Sequence, residues 1–196
     1  VYCMYVRDAK NRDEVWLLKH IEAMELDETA FRSRDYVIAM DEQTGDRAGF
    51  GRIRVHKTGD NEEVCELTSI GVLKSWRGQG VGAHVVERLV TTARDKGFSL
   101  GYALTSEPDY LAQFGFGRVS PAKLSTVLQD RLREKQGTVD PGAVPQRIDT
   151  TRFRMPSRLR EAFKSARVDD DPEEPPENPE DFGIDPDEAT YKYDTG

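Results

Sequence analysis

Cys65-Glu66-Leu67-Thr68-Ser69-Ile70-Gly71-Val72-Leu73-Lys74-Ser75-Trp76-Arg77-Gly78-Gln79-Gly80-Val81-Gly82 is the stretch on which the reading of this chain turns. Cys65 to Leu73 has the composition of a buried strand. After a short turn, three glycines at alternating positions enter a helix that runs to Lys96. In that helix Val81, Val85 and Leu89 recur at i, i+4 and i+8, with Val86, Val90 and Ala93 beside them. Gly97 supplies the C-cap. Glycines in such a turn let backbone N–H groups approach a ligand with no Cβ in the way. The first turn of a helix adds N–H groups without intrahelical acceptors and a positive dipole end. Gly78, Gln79, Gly80, Val81, Gly82 and Ala83 therefore read as a pyrophosphate cradle, and Arg77 places a permanent charge beside it.

Outward from this stretch, strands and helices alternate. Val1 to Arg7 reads as a strand and Arg12 to Met24 as an amphipathic helix. Tyr36–Met40 and Ala48–Val55 read as strands joined by Glu42-Gln43-Thr44-Gly45-Asp46, a hairpin-like turn. Thr58-Gly59-Asp60-Asn61 marks the next turn, leading into the strand at Cys65. Phe98–Thr105 is a strand and Pro108–Phe114 a short helix with proline near its first turn. Val119 ends a short strand, Ala122–Lys135 is helical, Gln146–Met155 is a last strand and Ser157–Ala166 a last helix. Short early turns imply antiparallel pairing, and the later strand–helix–strand implies one parallel crossover. The fold class expected is α/β, a mixed and mostly antiparallel sheet with helices on both faces.

The net charge of −8 is unevenly spread. Residues 169–196 hold twelve Asp and Glu against Lys192, a local −11, so the first 168 residues carry +3, the difference between the two. Two units follow: a folded domain over 1–168 and an acidic, Pro-rich tail over 169–196, expected to be disordered because it has too little apolar surface to offset the entropy of ordering. Phe182, Ile184, Tyr191 and Tyr193 would be its docking residues if it folds onto a partner. The tail would repel nucleic acid. No apolar run reaches the length of a membrane span. Cys3 and Cys65 lack metal-ligand spacing and read as buried reduced thiols, so no metal is expected and a cytoplasmic location is. Val1 in place of an initiator Met leaves a lost leader open.

Rival readings of the glycine turn fit less well. Gly-Lys-Ser/Thr is missing, which excludes a Walker A loop. Gly78-Gln79-Gly80-Val81-Gly82-Ala83 does match a dinucleotide fingerprint, with Glu107 near the acidic position. In that fold, however, the glycines follow the strand at once, and here Leu73–Arg77 intervene after strands that pair antiparallel. Arg77-x-x-Gly80-x-Gly82 instead resembles the Gln/Arg-x-x-Gly-x-Gly/Ala signature of the GNAT acetyltransferases. Leu67-Thr68-Ser69-Ile70-Gly71-Val72 looks like that family's fourth strand. Pro108-Asp109-Tyr110-Leu111-Ala112-Gln113-Phe114-Gly115-Phe116 is similar to its motif ending in Gly-Phe. Three blocks in order cover about residues 36–120. Within the family the match leans to the N-acetylglutamate synthase branch, from which the region after Val119 departs.

The resemblance implies acetyl-CoA as co-substrate and transfer of its acetyl group to a primary amine by direct attack. An amino acid is one acceptor it suggests. It implies that the backbone of Ile70, Gly71 and Val72 receives the pantetheine arm, and that an N–H near Val72 polarises the acetyl carbonyl. The family often places its base where Glu66 stands, to take the amine proton. Its usual acid, a Tyr four residues before the Gly of Gly-Phe, is replaced by Leu111. Tyr110 is displaced by about 100° around a helix, and Tyr102 is a lesser candidate. Arg52 and Arg54 alternate onto one sheet face, where they would either be solvated or bind a substrate carboxylate. His20, His56 and His84 are isolated in sequence and draw no role. Two other functions stay open: acetylation of a protein N-terminus or lysine, and non-catalytic CoA binding by a regulator. Neither nucleic acid nor membrane is an expected partner, and a homodimer stays open.

Overall fold

The computed structural model describes residues 4–169. Cys3 and the acidic segment from Asp170 onward lie outside them, and with them the expectations for that thiol and that tail. Seven strands form one sheet in the order β1-β2-β3-β4-β5-β7-β6: β1 (Met4–Asp8), β2 (Tyr36–Asp41), β3 (Arg47–Lys57), β4 (Glu63–Val72), β5 (Leu100–Thr105), β6 (Gly117–Arg118) and β7 (Val144–Asp149). Neighbours pair antiparallel except β4 with β5. The mixed sheet with a single parallel pair is thus the one the turn lengths predicted. Helix α2 (Val81–Asp95) makes the crossover between the parallel strands.

Side-chain alternation assigns the faces. Val37, Ala39, Cys65 and Leu67 point to one side, where Val81, Val85, Leu89 and Ala93 of α2 cover them. α3 (Pro108–Ala112) and α5 (Ser157–Lys164) join the same cluster through Leu111, Leu159 and Phe163. Tyr36, Ile38, Met40 and Phe50 point to the other side and meet Leu17, Ile21 and Met24 on and just after α1 (Glu14–Ala23). Farther along that second face, α4 (Thr126–Gly137) lays Leu128 and Leu132 over Leu104 of β5.

Two boundaries differ from the sequence pattern. β7 starts at Val144 rather than Gln146 and stops at Asp149, well short of Met155. Asp149 ends it by taking the Thr151 amide and hydroxyl on Oδ1, at 2.9 and 2.6 Å, a side-chain turn that competes with the ladder. α4 starts at Thr126, because Pro121–Lys123 forms a separate tight turn first.

Glycine brings α2 close to the sheet. At Gly49 of β3 an added Cβ would lie 2.9 Å from both the Gly71 carbonyl oxygen and Val81 Cγ1. The first is backbone and cannot swing away. Gly49→Ala should therefore overpack this contact and cost about 1–3 kcal/mol. In urea the expected result is a lower midpoint with an unchanged slope; an unchanged midpoint would show that α2 has room to move.

Candidate active site

The site begins where β4 and β5 separate. Their ladder holds at Cys65, Glu66 and Leu67, opposite Gly101, Tyr102 and Ala103, and then ends. β4 continues to Val72 alongside β3 only, so its edge toward β5 is open from Thr68 on. The cause lies in β4 itself. The β3–β4 register slips between Phe50 and Arg52, and Ser69 adopts a left-handed backbone, φ 53°. A residue inserted into the alternation is a β-bulge, which bends its strand. Ser69 Oγ donates to the Asp27 carbonyl at 2.7 Å and pins the bulge to the segment after α1.

Beyond the bulge, Leu73 N–H bonds the Ala48 carbonyl at 2.9 Å. In an antiparallel ladder alternate residues turn toward the partner strand. Gly71 therefore turns to β3, and Ile70 and Val72 turn their backbone groups toward the opening. The strand next enters the glycine turn. Gly78 and Gly80 take φ 72° and 77°, a conformation open to few other residues. The first α-helical amide bond of α2 is His84 N–H to the Gly80 carbonyl, 3.2 Å, so the amides before it have no acceptor within the helix.

Two predicted cradle residues have a different geometry from the one expected. Arg77 is buried, and its Nε donates to the Val72 carbonyl at 3.1 Å. It braces the end of β4 against the turn. Gln79 grips the backbone of Arg167 from both sides, Nε2 to the carbonyl at 2.6 Å and Oε1 from the amide at 2.9 Å. Asp169 N–H reaches the Ser75 carbonyl at 2.7 Å. The segment after α5 thus runs alongside the turn. A Cβ on Gly80 would lie 2.5 Å from the Leu159 carbonyl, so this glycine is also required by α5 packing.

On the opposite face of the sheet Glu66 is fully buried among cations. Oε1 accepts from His56 Nε2 at 2.9 Å and from Arg131 Nε at 3.0 Å, and Oε2 pairs with Lys135 Nζ at 2.9 Å. Burial alone would raise its pKa. The charge of Lys135, the His56 hydrogen bond and the charge of Arg131 outweigh that and hold it well below the usual carboxylate range. The carboxylate is thus ionised at neutral pH and weakly basic. Asp27 is also ionised: despite burial, hydrogen bonds from Thr29 and the charges of Arg131 and Arg52 lower its pKa. Arg131 Nη2 bonds Asp27 directly.

Arg52 and Arg54 do share one face, as their alternation predicted. Arg52 is fully buried on Asp27 at 3.1 Å and over the Tyr36 ring, and Arg54 reaches Asp27 at 3.4 Å. Tyr110 lies in the core, its ring edge-on to Phe114 at 5.3 Å. Tyr102 sits opposite Glu66 and packs beside the α4 cluster. His20 is buried against Trp16, which lowers its pKa to about 4 and keeps it neutral. His84 stacks on Phe163 and gives its Nδ1 proton to the Gly80 carbonyl. His56, Asp27, Arg131 and Lys135 are the members that sequence reading missed. The available signal was spacing: Leu128, Arg131, Leu132 and Lys135 fall on one face of α4, at i, i+3, i+4 and i+7.

Comparison with known proteins follows the same geometry. The model of the Acetyltransferase (GNAT) family matches residues 3–116. No curated protein sequence matches the chain. Among solved structures, N-acetylglutamate synthase from Neisseria gonorrhoeae, in complex with coenzyme A and N-acetyl-glutamate, superposes with a TM-score of 0.62 at 17% identity. The match covers 74% of this chain and 34% of that one, so this chain spans about a third of that protein's length. A Mycobacterium tuberculosis protein in complex with CoA gives 0.60 at 17% identity, over 74% of this chain and 98% of that one. Arabidopsis thaliana Naa50, bound to a bisubstrate analogue containing CoA, gives 0.53 at 11% identity, over 74% and 97%. At such identities the likeness is one of fold.

The network around Glu66 generates a stability test with a defined pH window. Glu66→Gln keeps the shape but leaves buried Arg131 and Lys135 and part-buried His56 facing a neutral amide. Breaking a buried pair from one side costs about 3–5 kcal/mol. A lowered folded-state pKa stabilises only above the unfolded value, near 4.3, and the benefit is lost as pH falls toward the folded pKa. Denaturation of both proteins should show the full gap at pH 7 and a shrinking one below about pH 4. A gap independent of pH would mean that the charge is not what the cluster needs.

Proposed function

The chain belongs to the GNAT acetyltransferase family, and on that premise we propose that it transfers an acetyl group from acetyl-CoA to a primary amine by direct attack in a ternary complex. The observation that carries this reading is the open edge of β4 from Thr68 to Val72, followed after the short turn Leu73–Arg77 by the glycines and a helix N-terminus. The edge offers backbone groups to an amide-bearing arm, and the turn offers amides to a diphosphate. The residues present fit acetyl-CoA: the outward-turned backbone of Ile70 and Val72 would hold the arm, with Gly71 between them. Gly78–Ala83 would hold the diphosphate, while Arg77 and Gln79 shape the turn from behind.

When bound, acetyl-CoA supplies a thioester carbonyl. The Val72 N–H would polarise it, a fixed dipole aimed at the oxygen where negative charge develops. The attacking amine gives up a proton as the C–N bond forms and the C–S bond breaks. Glu66 is the nearest ionised carboxylate on β4, but three partners depress its basicity. We therefore assign Glu66 the task of holding His56, Arg131 and Lys135 in place, with proton removal through water or the imidazole it orients. Tyr110 would act on the leaving thiolate only after leaving its packed place against Phe114; solvent can protonate the thiolate instead. An amino acid and a peptide amine are both compatible acceptor types: of the neighbours named above, one is complexed with N-acetyl-glutamate and another with the bisubstrate analogue CoA-Ac-MVNAL.

Thiol release from acetyl-CoA across a panel of amines tests the activity, and calorimetry tests binding separately. In Val72→Pro the polarising N–H is gone while the Gly71 ladder to β3 is kept. Turnover should fall by about 10²- to 10³-fold, with acetyl-CoA affinity changed far less. Equal losses in both would make Val72 a binding residue; no loss in turnover would remove the N–H from the mechanism.

A further inference from the structure

β3 has a second open edge, away from the site described above. Its pairing with β2 stops at Arg52, opposite Tyr36, whereas β3 runs on to Lys57 against β4 alone. Along Ile53–Lys57 the backbone groups that turn away from β4 meet no backbone partner among the described residues. An unpaired edge is a template for another strand, and native sheets usually blunt or cover it. A cavity of about 290 Å³ lies along this one.

The lining is apolar on one side and cationic around it. Ile53, Val55 and Leu89 form the α2 side, and Val55 is 43% exposed. Arg54 alternates to the other side of the strand, and Arg34 and Lys96 stand at the rim. The two carboxylates of the lining are already paired, Asp35 with Arg32 and Asp8 with Arg88, each at 3.1 Å. Arg34 and Lys96 have no ion pair among the described residues. Arg54 has a 3.4 Å contact with Asp27, a carboxylate that it shares with Arg52 and Arg131. Burial first, then the charges of Arg131 and Arg52, lower its pKa, so positive charge is in surplus there. The edge is thus complementary to an extended backbone with apolar residues on one face and carboxylates on the other.

The chain carries such a sequence in its acidic segment, Glu180-Asp181-Phe182-Gly183-Ile184-Asp185. In a strand Phe182 and Ile184 share one face, and Asp181 and Asp185 share the other. Pro179 and Pro186 bracket the stretch, and proline has no N–H to give to a ladder. Reach is sufficient. Asp169 is held on Ser75 near the start of α2, and the cavity lies beside Leu89, Thr92 and Lys96, about 20 Å farther along the helix. The chain from Asp169 to Glu180 spans up to about 36 Å. A second copy set edge to edge would instead bring two sets of Arg34, Arg54 and Lys96 together. We infer that residues 180–185 add as a strand to the free edge of β3, with Phe182 and Ile184 over Ile53, Val55 and Leu89 and with Asp181 and Asp185 toward Arg54 and Arg34. Main-chain bonds give the contact its strength, the alternating side chains give its register, and the tether keeps the local concentration high. The inference is independent of the acyl-transfer reading.

Amide hydrogen exchange of the full chain, followed residue by residue by NMR, tests it. In the wild type the β3 amides turned away from β4, and alternate amides within 180–185, should exchange about tenfold more slowly than in the double variant Phe182→Ala, Ile184→Ala. The double variant Asp181→Asn, Asp185→Asn should lose the same protection, and about 0.5 M salt should weaken it in the wild type. Arg34→Glu, at the exposed rim, should release the segment while β4 and α2 keep their protection. Equal exchange rates in the wild type and every variant overturn the inference. Protection that rises with protein concentration, together with a doubled mass in sedimentation, also overturns it, because the edge would then be covered by another copy.

Discussion

Beyond Leu67 and Ala103 the two parallel strands no longer pair, and this parting is the constraint on which the rest of the described residues depends. Strand edges left unpaired in a protein interior leave backbone groups that must find other partners. Here the parting is enforced from within β4. The bulge at Ser69 bends the strand away, and the Ser69 hydroxyl fixes that bend to Asp27. The same insertion changes which residues face α2. Without it, alternation from Cys65 and Leu67 would turn Ser69 and Gly71 into the α2 core; with it, Ile70 and Val72 occupy those places. One residue thus opens the sheet and keeps the core apolar on both sides of the opening.

An open sheet needs closure elsewhere, and α4 provides it on the far face. Two apolar residues, Leu128 and Leu132, would anchor a helix of this length weakly. Arg131 and Lys135 add a fixed registry, because each must meet Glu66 and only one placement of the helix satisfies both. Desolvating these charges costs several kcal/mol per ion, and their mutual attraction only roughly offsets it. Their contribution is therefore better understood as positional than as stabilising. They hold the helix where Asp140, three residues past its end, reaches the turn at Ser106.

Most of the fold was legible because local signals agreed with one another. The valines of α2, the glycines of its entry turn and the turn residues at Gly45 and Asn61 each point to the element observed. Ile70 and Val72, apolar at even positions after Cys65 and Leu67 at odd ones, even carry the parity change of the bulge. The site was less legible, for a physical reason. Its charged groups come from β3, β4, α4 and the segment after α1, and Asp27 and Arg131 are 104 residues apart in sequence. No local pattern encodes that meeting. Glu66 could be placed on its strand from the sequence, but its basicity depends on three side chains brought to it by the fold. Arg77 and Gln79 show the same limit: their positions in the motif were readable, while their commitments to Val72 and Arg167 were not.

In the reaction proposed above, the proton of the attacking amine ties these features together. An ammonium ion near pH 7 must be deprotonated, and a strong base at Glu66 would be the simplest means. The fold instead surrounds that carboxylate with donors, which lowers its affinity for a proton but stabilises a positive charge on its neighbours. His56 is the neighbour that carries an imidazole. Its Nε2 is turned to Glu66, which leaves Nδ1 as the second ring position. A carboxylate that fixes the tautomer of an imidazole is useful only as long as it stays ionised itself. Arg131 and Lys135 ensure this, so the cations that weaken Glu66 as a proton acceptor are what keep it fixing the His56 ring.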